Sequence, residues 1–116
     1  EVETTLLIHP GFLDNFEDYN DFLDLADALL TQMERDGVYQ VASFHPHYQF
    51  AETEPEDPEN FTNRSPYPLL HLLREASLSQ AVESHPNVEQ IPEDNIALMN
   101  RLGYEKLVQA FPWTTI

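Results

Sequence analysis

A chain of 116 residues is long enough for one hydrophobic core and too short for two. Its 21 acidic residues stand against five lysines and arginines, and the formal net charge of -16 repels phosphate backbones and anionic lipid, which argues against bulk binding to nucleic acid or membrane surfaces. There is no cysteine for a disulfide, a thiolate nucleophile or a thiolate metal site, and no apolar run approaches the ~20 residues that span a bilayer.

The acidity reads first as solubility or salt adaptation, and a cytoplasmic protein is the default because no signal peptide precedes the first strand. The chain starts at Glu1 without methionine and enters strand-like sequence almost at once, so a missing N-terminal part is expected. Residues 4–9, TTLLIH, carry Leu6, Leu7 and Ile8 in a row, as a strand covered on both faces does, and Pro10 and Gly11 end it. From Asp14 to Asp36 the apolar residues Phe16, Tyr19, Phe22, Leu23, Ala26, Leu29, Leu30 and Met33 recur at helical spacing, with carboxylates around the other face and in the first turns. Gly37 supplies a left-handed stop, and VYQVASFH follows as a second strand. Strand, helix and strand with short connections predict an α/β fold built on a βαβ unit, its two strands parallel and its crossover right-handed.

Residues 47–65 have no sustained period, carry five carboxylates among prolines, and read as a long loop of the kind that is functional or mobile. Two N-glycosylation patterns in it, at Asn60 and Asn63, count as chance matches without a secretory signal. A helix is predicted from Pro68, with Leu69, Leu72, Leu73 and Ala76 as its buried stripe. Further helices are predicted from Pro92 to Leu102, closing at Gly103, and over YEKLVQAF before Pro112. Residues 1–116 thus read as one α/β domain. Two parallel strands alone bury too little, so a third strand is expected from absent N-terminal sequence or from another chain, which leaves a homo-oligomer open.

Five segments together, TLLIHP, DYNDFLDLADALL, VASFHPHYQFA, NRSPYPLLHLLREAS and IPEDNIALMNRLG, resemble the bacterial family of unknown function numbered 1415 over residues 4–103. The resemblance implies no activity. It implies a longer N-terminus with a helix, a CPF-like segment and a further strand. Where this chain has His47 the family pattern more often has aspartate, which argues against a mechanism built on His47.

Candidate site residues fall in two groups. His9 and His45 each end a predicted strand before a proline, at the carboxyl edge where open α/β sheets bind ligands. Asn63, Arg64 and Ser65 precede the predicted helix start, an arrangement that favours an anion, and His71, Arg74 and Glu75 would share a face of that helix, with Glu75 orienting His71 as a general base. His45, His71 and Glu75 are therefore the candidate catalytic residues, and His9, Asn63, Arg64, Ser65 and Arg74 the candidate ligand contacts. A site of His9, His45 and His71 for zinc has no local motif behind it, so no metal ligand is assigned and the cofactor, if any, is left open. Tyr48, Phe50 and Phe61 are candidates to line a pocket, though such aromatics more often form core. Two function classes follow: a binding or catalytic site for a small anionic molecule at the strand ends, or a non-catalytic acidic interaction module whose histidines are structural.

Overall fold

The computed structural model of the chain describes residues 4–115; Glu1, from which an incomplete N-terminus is expected, lies outside them. The element order is β1 (Thr4–Ile8), α1 (Phe16–Gln32), β2 (Tyr39–Phe44), a 3-10 helix (Pro58–Asn63), β3 (Leu69–Arg74), α2 (Glu75–Ser84), a short 3-10 turn (Val88–Gln90), α3 (Ile91–Leu102), α4 (Tyr104–Ala110) and a last 3-10 turn (Pro112–Thr115). The three strands form one sheet in the order β1-β3-β2, and β3 is antiparallel to both neighbours.

This overturns the predicted parallel βαβ unit. LLHLLR is a strand, not the first turns of a helix, and it inserts between the two strands expected to be neighbours. A short apolar run is ambiguous between buried helix and buried strand. Here Pro68 and the extended residue before it feed a central strand, hydrogen-bonded on both sides, and the helix begins only at Glu75. The third strand thus comes from within the chain. β1 and β2 run in the same direction but lie two strand spacings apart, about 10 Å.

Asn15 caps α1, its side-chain oxygen accepting the Asp18 N–H at 3.1 Å. The helix ends earlier than Gly37. Glu34 takes the left-handed conformation (φ 57°), with its N–H on the Thr31 carbonyl and the Arg35 N–H on that of Leu30, the two bonds of a Schellman motif. Gly37 (φ 84°) serves the turn into β2 instead.

The register sorts side chains onto two faces of the sheet. Leu7, Leu70, Ser43, Leu72 and Val41 point to one, and Leu6, Ile8, Leu69, His71, Leu73, Ala42 and Phe44 to the other. Helix α1 lies on the first: its Leu30 and Thr31 share a small cavity with Tyr39 and Val41, and Leu70 beneath is buried. Helices α3 and α4 pack on the 3-10 helix Pro58–Asn63 and on each other.

One side chain locks helix to sheet. Tyr19 is fully buried; its hydroxyl donates to the Leu69 carbonyl at 2.6 Å and accepts the Phe44 N–H at 2.9 Å, joining β2 and β3 at the end of their ladder. Burial pushes its pKa up to about 12.

The candidate cleft beside the buried histidine

The carboxyl ends of β1 and β2 meet the start of β3, and His9, His45, Asn63, Arg64 and Ser65 gather around that end of the sheet. Arg74 and Glu75 lie at the opposite end, six residues along β3, roughly 20 Å away. His71 lies between, in the sheet and not on a helix face with Glu75. The expected His71–Glu75 pairing on one helix therefore does not form. His71 instead bonds through Nε2 to the Thr4 hydroxyl, with its ring 6.3 Å from that of Phe44. Glu75 borders the cavity under the C-terminal half of α1, and the Arg74 guanidinium stands 5.3 Å over the Tyr39 ring.

His45 is fully buried, against Phe16 (5.3 Å between ring centroids) and Tyr19 (5.0 Å). Its Nδ1 accepts the His47 N–H at 3.0 Å, which leaves the proton on Nε2 for the Leu13 carbonyl at 2.9 Å. Leu13 holds φ at 62°, a left-handed value uncommon for a leucine, and its carbonyl is held by the imidazole. Burial lowers the His45 pKa from its ordinary value, and the nearby His47 adds to the effect; the Leu13 carbonyl opposes it. His9 donates its N–H to the Pro68 carbonyl at 2.8 Å, while its ring Nε2 is buried without a hydrogen-bond partner.

The loop 47–65 is ordered around Asn60, a fully buried side chain. Its Oδ1 accepts from the Phe50 N–H and the Thr53 hydroxyl, and its Nδ2 donates to the Glu54 carbonyl. The next residues anchor the same loop. Asn63 donates to the Ser43 carbonyl and accepts the His45 N–H, and Ser65 donates to the Tyr67 carbonyl at 2.7 Å. Arg64 gives Nε to the Tyr48 carbonyl at 3.1 Å and Nη2 to the Pro55 carbonyl at 2.8 Å, and covers the Phe61 ring at 4.5 Å.

Arg64 reaches the wall of a cleft of about 570 Å³ formed with Asp14, Asn15, Phe16, Glu17, His47, Gln49, Pro55, Glu56, Tyr104 and Thr114. Burial lowers its pKa, yet a guanidinium stays charged. The nearby Tyr104 and Glu56 act on its charge and oppose that lowering. The helix start expected beside Arg64 is found in another place: it is the N-terminus of α1, whose first turn contributes Phe16 and Glu17. Of the eight sequence-predicted site residues, Arg64 alone lines this cleft. His47, set aside on the family pattern, lines it as well, and Gln49, Glu17, Glu56 and Tyr104 were not anticipated, since residues from the loop, α1 and α4 carry no shared local pattern. Among the described residues no three histidines or carboxylates are placed to hold a metal ion, and no helix is long and apolar enough to cross a membrane.

A family model of proteins of unknown function, DUF1415, matches residues 1–109. The chain belongs to that family. The match covers all three strands, the loop with Asn60 and Arg64, and most of α4. No curated protein and no solved structure matches the chain.

Proposed function

We propose that the cleft between the start of α1, the 47–57 loop and α4 binds a small molecule with one anionic group, held by Arg64. The carrying observation is the guanidinium itself, partly buried, held by two backbone carbonyls and lining the cleft, with Glu56 and Tyr104 as the groups that act on its charge. Two of its donor nitrogens serve carbonyls and fix its plane, which orients the remaining one, Nη1, for a ligand. The start of α1 adds partial positive charge on the same wall. Asp14, Glu17 and Glu56 line the cleft too, so a polyanion is disfavoured; hydroxyl or amino groups on the ligand suit these carboxylates.

The test is a calorimetric titration with lactate, inorganic phosphate and citrate. The expected order places the singly charged probe first and citrate last. Arg64→Gln weakens binding roughly tenfold to a hundredfold, the scale of a charge-assisted hydrogen bond. Glu17→Gln, which leaves Arg64 and its carbonyl partners alone, strengthens it. Binding unaffected by both variants refutes the assignment.

A non-catalytic role is favoured by His45, whose two ring nitrogens are both spent on backbone partners. If the cleft binds without turning over, the ligand is recovered unchanged after long incubation; a converted product overturns that view.

A further inference from the structure

The sheet face opposite α1 is left open, and we infer that it is the contact surface for a second copy of this chain. The face is a grid of three rows, with His71 at its centre between Leu6 and Ala42, and with Leu69 between Ile8 and Phe44 in the next row. Leu6 and Ile8 are 53% and 51% exposed. No carboxylate, lysine or arginine stands on the grid, in a chain whose formal net charge is -16. Two copies that meet through this face do so without opposing charges. A cationic partner finds nothing on this face to attract it. His71 enters such a contact already bonded to Thr4.

The accessible surface is 8036 Å², where a folded monomer of 13.4 kDa is expected to expose about 6,500 Å². The Cα radius of gyration is 15.4 Å against about 13 Å expected. That excess belongs to the whole chain, and Leu6 and Ile8 on this face share it with Phe12, Leu25, Leu29 and Met33 elsewhere. Two such faces stacked about 10 Å apart give a two-fold sandwich, with α1 of each copy on the outside.

Sedimentation velocity of the whole chain at tens of micromolar tests this. The expected species is a dimer, twice the 13.4 kDa monomer, that tightens as salt screens the acidic surfaces. The Leu6→Glu, Ile8→Glu double variant is expected to be monomeric with an unchanged circular dichroism spectrum. Leu6→Thr, which keeps strand preference, weakens the dimer roughly tenfold to a hundredfold if the glutamates prevent folding. Leu25→Glu is the control, because Leu25 is 66% exposed on α1, on the other side of the sheet, and its variant stays dimeric. A monomeric parent chain overturns the inference. So does dissociation by Leu25→Glu equal to that by the β1 variants.

Discussion

Replacing His45 tests whether the imidazole holds the loop and the start of α1 together. His45→Ala strands the Leu13 carbonyl and the His47 N–H, which lose bonds of 2.9 and 3.0 Å, and it empties a fully buried space against Phe16 and Tyr19. An abandoned partner costs about 1–3 kcal/mol where water cannot replace the bond, and less beside the exposed His47. Losing an aromatic ring from a core costs about 3–5 kcal/mol, and as the two effects overlap, a combined loss of about 3–5 kcal/mol is expected. Urea unfolding followed by circular dichroism reads it directly. A pH series separates the imidazole from its volume. The folded pKa lies below the ordinary 6.5, so the unfolded chain takes up the proton first as pH falls. The contribution of neutral His45 is full above pH 6.5 and is lost as pH drops below 6.5 through the lowered value. His45→Gln is expected to lack this component while keeping the common background from the carboxylates. A His45→Ala cost below about 1 kcal/mol, or identical pH slopes for parent and His45→Gln, refutes the reasoning.

Tyr19→Phe removes one hydroxyl and orphans both the Leu69 carbonyl and the Phe44 N–H, so a loss of about 2–3 kcal/mol is expected by the same urea method. Asn60→Ala releases three hydrogen bonds that organise residues 50–60, and faster amide exchange confined to that loop is the expected signature. Glu34→Gly relieves a left-handed glutamate at the end of α1; after the extra backbone entropy of glycine, a gain of about 0.5–1 kcal/mol is expected, seen as a Tm higher by a few degrees.

The sequence made α1 legible because its apolar residues keep one period over many turns, and both flanking strands were legible from their apolar runs. LLHLLR was misread because six residues fit either a buried helix or a central strand, and the proline before them suits both. That one element changed the sheet from parallel to antiparallel and dissolved the His71–Glu75 pairing. The end of α1 was misplaced because glycine was expected where glutamate takes the left-handed turn. Arg64 was marked by its place before a predicted helix start, although the helix start that shares its cleft proved to be that of α1. Asn60 drew notice only as a glycosylation pattern, since a buried amide that orders a loop through backbone groups leaves no periodic trace.

The central strand of the sheet is also the last of the three to be made. When β1 and β2 have been synthesised neither has a neighbour to pair with, and the sheet waits until Leu69–Arg74 arrives; Thr4 must then find Leu73 across most of the chain. Such distant pairing makes for slow folding, with the preformed α1 as the early local structure. Chains truncated before Leu69 have no route to any part of the sheet, whereas chains extending past Arg74 can form all of it. A ladder of C-terminal truncations is therefore expected to gain protease resistance in one step, between those two residues.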